Sequence, residues 1–274
     1  MSQAQVDDFG LPPGVRTEYL QGARDQLGAI AELAERLIAA GDDTAAIDEL
    51  RRDAHRLHGS AGSFGFPHAS VVAAELEEAA KQWLEHPGNG VPERGKVTRG
   101  FVRRLAAALF TKQAATPASG MVEPPPNLDQ PPPRSGTPGA REPTSATEPP
   151  EVVLVEDDPA LVELLTFGLE ARGYRYLHFR NGREALDLLK TMDTRGSPRP
   201  PLLLLDLDQP AVDGHSIFAE LQQECPGKFR VVFTTLHRSE TEQLRGLEAG
   251  AMDYLVKPLS LRVALEKIRR WVGR

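Results

Sequence analysis

The chain has 274 residues, 40% hydrophobic and 26% charged, with a net charge of −7, which is enough for two domains with separate cores. No apolar stretch approaches the ~20 residues needed to span a bilayer. The opening residues carry Asp7, Asp8, Glu18 and Asp25, with no apolar block behind a basic start, so neither membrane insertion nor a secretory signal is expected.

The single cysteine, Cys225, excludes an internal disulfide and fits a reducing cytoplasm. Residues 1–116 carry 13 basic and 16 acidic groups, residues 117–150 carry 2 and 4, and residues 151–274 carry 17 and 19. No segment is strongly basic, so binding to nucleic acid, which rests on phosphate neutralisation, is not expected. Nor is an output module expected beyond the second domain.

Residues 1–16, with Pro12, Pro13 and Gly14, read as a flexible lead-in. Apolar residues then recur at helical spacing through Leu20, Leu27, Ile30, Leu33, Leu37 and Ile38. Gly41-Asp42-Asp43-Thr44 interrupts them, and Asp43 or Thr44 is suited to cap a second helix through Ile47, Leu50, Ala54, Leu57 and Ala61. A third helix is predicted from about His68 to Glu85. A fourth runs from about Pro92, a good first-turn residue, to Lys112. Four amphipathic helices with short connections over residues 17–112 predict an all-α four-helix bundle.

Residues 113–150 form the next segment, and 117–150 alone hold eleven prolines and three glycines. This composition cannot bury enough apolar area to offset its ordering entropy, so a disordered linker is expected. A recognition role for Pro124–Pro126 and Pro131–Pro133 is the alternative.

From residue 151 to 274 strands alternate with helices. Strands are predicted at Val152–Val155, Tyr174–Phe179, Leu202–Leu205, Arg230–Thr234 and Tyr254–Val256, each followed by a helix. Five βα units imply an α/β doubly wound parallel sheet of five strands, the flavodoxin-like arrangement.

The carboxyl edge of that sheet collects the chemistry. Asp206 ends the leucine strand, and Glu156-Asp157-Asp158 follow the first strand. Thr235 follows the fourth strand and Lys257 the fifth. Strands one, three and four are neighbours in a doubly wound order, so these side chains meet in one crevice. Alone, Asp206 could be a turn cap. Clustered carboxylates, however, repel and raise one another's pKa, which a hard divalent cation such as Mg²⁺ relieves. Metal, lysine and hydroxyl would then cradle a phosphoryl group, with Asp206 as nucleophile.

Three blocks carry a resemblance: Val-Val-Leu-Val-Glu156-Asp157-Asp158-Pro159, Leu-Leu-Asp206-Leu-Asp-Gln-Pro210-Ala-Val-Asp213-Gly214, and Ala249-Gly250-Ala251-Met-Asp-Tyr254-Leu-Val-Lys257-Pro258. Residues 151–274 resemble bacterial response-regulator receiver domains. The resemblance implies that Asp206 is the phosphoacceptor. It implies that Glu156, Asp157 and the backbone carbonyl of Asp208 join Asp206 around Mg²⁺. It also makes Thr235 and Tyr254 the switch residues and Lys257 the phosphate-binding lysine. Leu236 departs from the small residue usual after the switch threonine. Asp208 and His237 occupy the positions that tune phosphoryl lifetime.

On the bundle, Ala54-His55-Arg56-Leu57-His58-Gly59-Ser60-Ala61-Gly62-Ser63 is unusual. Gly59 and Gly62 each cost about 1 kcal/mol in a helix interior. In return they open a notch on the face that carries His55. A neutral imidazole can carry a phosphoryl group. Residues 17–112 resemble histidine-containing phosphotransfer domains, four-helix bundles with a His-x-x-Lys-Gly-Ser motif. The resemblance makes His55 the phosphohistidine. It departs at His58, which stands in the lysine position and is the alternative acceptor. His68, His86, His178, His215 and His237 show no metal-ligand spacing.

These readings predict a cytoplasmic two-component phosphorelay protein of bacterial type, carrying phosphoryl groups on His55 and Asp206. It is expected not to be an enzyme, beyond the receiver's handling of its own phosphoryl group. With no stretch resembling an ATP-binding kinase domain, a separate sensor histidine kinase is the expected donor, and other receiver or phosphotransfer proteins are further partners. The alternative is a signalling interaction protein that switches partner binding or homodimerisation on phosphorylation of Asp206, with the bundle as a docking module. A metal-dependent phosphatase would use the same crevice but lacks a second obvious acid or base.

Overall fold

A computed structural model describes residues 11, 14–111, 149–195, 197–209, 212–236 and 239–274. The linker expected at 113–150 therefore lies outside the described residues, apart from Pro149 and Pro150.

Helices α1 (Val15–Ala39), α2 (Thr44–Ala61), α3 (Pro67–Glu85) and α4 (Arg94–Phe110) form the N-terminal half. Each packs on the next, and α4 closes against α1, as in an up-and-down bundle. The apolar stripes meet inside: Leu27, Ile30 and Leu37 of α1, Ile47, Leu50 and Leu57 of α2, Leu76 of α3, and Leu105 of α4 are all buried. Full burial of each such side chain is worth roughly 1.5–3 kcal/mol.

Asp43 caps α2, its carboxylate accepting from the Ala46 amide at 2.9 Å. Helix α1 begins at Val15, inside the stretch read as lead-in, and both Leu11 and Val15 are buried in the core. The helix expected from Pro92 is preceded by a 3₁₀ turn, Val91–Glu93. Arg94, the first residue of α4, is buried, and its guanidinium donates to the carbonyls of Gly41, Pro87 and Asn89. It thereby ties the loops at that end together. Gly62 is the C-cap of α2, not an interior residue, so only Gly59 bears the cost of an interior glycine.

The C-terminal half alternates β1 (Val152–Val155), α5 (Pro159–Ala171), β2 (Tyr176–Phe179), α6 (Gly182–Thr191), β3 (Leu202–Asp206), α7 (Gly214–Glu224), β4 (Arg230–Thr235), α8 (Glu240–Glu248), β5 (Asp253–Val256) and α9 (Leu261–Val272). The strands are parallel in the order β2-β1-β3-β4-β5. Strand β2 is shorter than predicted, because Tyr174 packs outside it under the Arg274 guanidinium, 4.6 Å from the ring centroid.

Residues 202 to 205 of β3 are all buried, as their unbroken apolar run requires. Leu202 and Leu204 face α5 and α9, whereas Leu203 and Leu205 face α6 and α7. The core on the α5 and α9 side is continuous with that of the bundle, so one apolar cluster runs through both halves. Among the described residues, no helix is long and apolar enough to cross a membrane.

Candidate functional site

Strand registry builds the acidic crevice. Val155 pairs with Leu205 and Asp206 with Thr234, so Glu156 and Asp206 leave neighbouring strands at the same edge. Carboxylate oxygens of Glu156, Asp157 and Asp206 lie within 4.8 Å of one another. Asp158, the third acid of the β1 block, turns away to cap α5, accepting from the Ala160 amide at 2.9 Å. The loop after β3 folds back tightly, because Gly214 lies where a Cβ would be 2.5 Å from the Asp206 carbonyl oxygen.

Lys257 enters from the end of β5. Its Nζ stands 2.9 Å from Glu156 Oε2 and 3.2 Å from Asp206 Oδ2, and all three groups are buried. Burial, then the Asp206 charge, pushes the Glu156 carboxyl well above the usual range. Burial also raises Asp206, against the pull of Lys257. The lysine is itself raised, because Asp206 and Glu156 outweigh its desolvation. Burial pushes Asp158 up to about 6.

Lys257 pairs with Glu156 and Asp206, and Arg56 of α2 with Asp157, so two cations face three carboxylates. Glu156 Oε2 and Asp206 Oδ2 are buried without a hydrogen-bond partner and touch Lys257 only as ion pairs. Oxygen ligands with spare lone pairs in a buried anionic cluster fit a hard divalent cation.

Thr235 is buried at the end of β4. Tyr254 points inward, its hydroxyl donating to the Glu242 carbonyl at 3.3 Å. The ring is accommodated because Gly246 of α8 has no side chain; a Cβ there would lie 1.9 Å from the Tyr254 hydroxyl oxygen. Leu236 is half-buried beside this edge, while His237 lies outside the described residues.

His55 faces the same crevice from the bundle. It is only 8% exposed, and its Nε2 has no hydrogen-bond partner. That nitrogen is 3.7 Å from Asp208 Oδ2, and His55 lies near enough to lower the Asp206 pKa. Its Nδ1 is 3.0 Å from Glu77 Oε1 on α3. His58, the alternative acceptor, has its Nδ1 3.0 Å from Glu77 Oε2. Burial alone would raise Glu77, but hydrogen bonds from His55 and His58 outweigh it and hold the carboxyl far below the usual range. An ionised carboxylate only accepts, so Nδ1 of His55 donates to Glu77 and Nε2 is the ring nitrogen turned toward the crevice.

The two halves meet around this pair. Arg56 Nε donates to Asp157 Oδ2 at 3.2 Å. The Leu259 amide donates to Ser63 Oγ at 2.6 Å. A Cβ at Gly62 would lie 2.6 Å from the Pro258 ring, and one at Gly59 would lie 3.4 Å from Lys257 Cδ. Beside the contact, a cleft is lined by Arg51, Arg52, His55, Asp157, Asp208 and Gln209.

The structure thus brings together His55, Glu156, Asp157, Asp206 and Lys257. It places the Asp208 side chain against His55 and Tyr254 behind the sheet edge, under α8. Sequence reasoning missed Glu77, Arg56 and Ser63. Glu77 had a signal: it lies four residues after Ala73 and three before Ala80, an acid inside the buried stripe of α3.

The Hpt domain model matches residues 14–108, and the response regulator receiver domain model matches residues 152–269. Response regulator MprA of Mycolicibacterium vanbaalenii is 34% identical over 126 residues, which is 46% of this chain and 52% of that protein. The chain spans about half the length of the curated relatives it matches. Among solved structures, the signal receiver domain of a signal transduction histidine kinase from Syntrophus aciditrophicus is 31% identical, covering 46% of this chain and 91% of that one, at a TM-score of 0.39. A sensor histidine kinase receiver domain from Pseudomonas aeruginosa PAO1, with a magnesium ion coordinated in its active site cleft, is 27% identical, covering 46% and 98%, at a TM-score of 0.38.

Proposed function

For a chain that joins an Hpt domain to a response regulator receiver domain, which places it in two-component phosphorelay signalling, we propose a relay protein that carries phosphoryl groups on His55 and Asp206. A separate sensor histidine kinase supplies them, in the cytoplasm of a bacterial cell. The chain contributes phosphoryl transfer and no ATP chemistry of its own. The observation that carries this reading is the Nε2 of His55, buried without a hydrogen-bond partner beside Asp208 at the edge of the crevice that holds Asp206 and Lys257.

The residues divide the work. Glu77 holds the Nδ1 proton, so Nε2 offers its lone pair to phosphorus and accepts the bonding pair when the group leaves. Asp206 offers a carboxylate oxygen. Lys257 neutralises the transferring phosphoryl oxygens, and the Thr235 hydroxyl follows them. Mg²⁺, held by Glu156, Asp157, Asp206 and the Asp208 carbonyl, would supply further charge neutralisation at the phosphoryl oxygens when bound. Tyr254 and Thr235 report the state of Asp206 to α8 and its surroundings.

The test is label transfer from a phosphorylated histidine kinase to wild type, His55→Gln and Asp206→Asn. Label on both residues of the wild type is expected, with each variant losing its own site. Label on neither residue sinks the proposal. A second reading, a receiver that switches partner binding or dimerisation with the bundle as docking module, is favoured by the exposed Leu244, Leu247 and Met252 near the Tyr254 seat. It predicts label on Asp206 alone and a change of oligomeric state with beryllofluoride.

A further inference from the structure

The contact between the two halves is specific in a way that random apposition is not. At its rim a guanidinium meets a carboxylate, Arg56 on Asp157. At its centre a backbone amide with no partner in its own strand or helix, that of Leu259, is satisfied by Ser63 Oγ from 196 positions away. Gly62 is helical, with φ −64° and ψ −35°, so nothing in its own backbone calls for glycine. What calls for it is Pro258, whose ring fills the space of the missing side chain. Gly59 likewise makes room for the Lys257 stem and Leu161. The glycine notch that the sequence opens on the His55 face is filled by this chain's own receiver.

The same contact brings His55 to the edge of the crevice, its Nε2 3.7 Å from Asp208 Oδ2. The loop that carries Lys257, Pro258 and Leu259 both grips the bundle and delivers the lysine to Asp206. Docking through Gly62 and Ser63 therefore sets His55, seven and eight residues earlier on α2, over the crevice.

We infer that this docked arrangement is the exchange complex itself, so that His55 and Asp206 of one chain pass a phosphoryl group between them without a second molecule. The inference rests on the reading that both residues carry that group. In the step from aspartate to histidine, the P–O bond to the Asp206 carboxylate breaks and its electron pair returns to the carboxylate. The Nε2 lone pair of His55 forms the P–N bond, and the Nδ1 proton stays shared with Glu77. The reverse step restores the acyl phosphate. No co-reactant is consumed.

The experiment loads the full chain with labelled acetyl phosphate and Mg²⁺ and follows label at His55, stable to alkali, apart from label at Asp206, labile to alkali. The expected rate constant for appearance at His55 is unchanged across a hundredfold dilution. A mixture of His55→Gln and Asp206→Asn chains at micromolar concentration should transfer roughly a thousandfold more slowly, because a tethered partner acts at an effective concentration of order mM. Gly62→Val, which pushes on Pro258, and Arg56→Glu, which is at the rim and leaves the bundle core untouched, should both make transfer concentration-dependent. A wild-type rate that rises in proportion to protein concentration, or variants that keep the wild-type behaviour, overturns the inference. If Asp206 is labelled and His55 stays unlabelled in the wild type and in the mixture alike, the relay reading itself fails and takes this inference with it.

Discussion

Glu77 on α3 binds two histidines at once, Nδ1 of His55 at 3.0 Å through one oxygen and Nδ1 of His58 at 3.0 Å through the other. Both imidazoles are thereby held through Nδ1, and the ring of His55 is fixed in rotation. Lys81, 2.8 Å from the carboxylate, completes the neutralisation. Glu77 touches no phosphoryl group, so it is a positioning residue, and its effect must pass through His55.

Replacing Glu77 with alanine should release that proton to either ring nitrogen. Nitrogen-15 chemical shifts of His55 are expected to move from a single Nδ1–H form to a mixture of tautomers. Phosphotransfer to His55 should slow about 10- to 100-fold, the kinetic equivalent of a hydrogen bond to a charged group, ~1.5–3 kcal/mol. Glu77→Met should keep ring packing but removes both acceptors, and so should not restore the rate. Recovery of the rate in Glu77→Met would assign the residue a packing role only.

The same carboxylate makes bundle stability depend on pH. Its folded pKa is depressed below the ordinary 4.5, so the stabilisation is fully present above that value and is lost as pH falls through the acidic range beneath it. Urea unfolding of the wild type is expected to show a falling midpoint from about pH 5 downward. In Glu77→Gln this acid-range loss should be smaller. Equal slopes in the two proteins would mean that the histidine contacts contribute nothing to stability.

Magnesium should stabilise the receiver by mass action. A group that binds only the folded state at a hundred times its Kd adds about 2.7 kcal/mol. Thermal unfolding of the wild type should shift upward on titration with Mg²⁺. Asp157→Asn removes a ligand while leaving the buried Lys257 pair intact, and should abolish most of the shift. A full shift in that variant would place the cation elsewhere.

Gly246→Ala should displace Tyr254. The new methyl would stand 1.9 Å from the hydroxyl oxygen and 3.0 Å from Cζ, so the ring has to leave that position unless α8 shifts. Overpacking of this kind costs about 1–3 kcal/mol. The tyrosine ring resonances should report an exposed ring without any phosphoryl group on Asp206. If the ring stays buried, α8 moves instead.

Much of the receiver crevice was legible because its chemistry is written next to its strands. The apolar run 202–205 announces a doubly covered strand, and the residue at its end is placed by the strand itself. Glu156 and Lys257 follow their strands in the same way, and parallel order brings them together. The bundle was legible from helical periodicity, and α2 ends at Ala61 as its pattern predicts. What was illegible lies in pairings with no local signature. Nothing near Gly62 indicates that its missing side chain is replaced by a proline 196 positions later, and nothing near Ser63 points to the Leu259 amide. Glu77 was overlooked because a glutamate beside Glu78 in an amphipathic helix reads as solvent-facing; only its place in the stripe between Ala73 and Ala80 sets it apart. The fourth helix began late because Pro92 fits the first turn of either helix type.

The seat of Pro258 in the hollow at Gly62 has a consequence for how such a chain can be altered. Two domains on a tether are ordinarily interchangeable, and either could be replaced by a counterpart from another protein. Here each half holds part of the other's shape. A larger residue at 62 must be met by a smaller side chain at 258, so the two positions are expected to vary together, and a chimera that keeps one without the other inherits two folded parts that no longer fit.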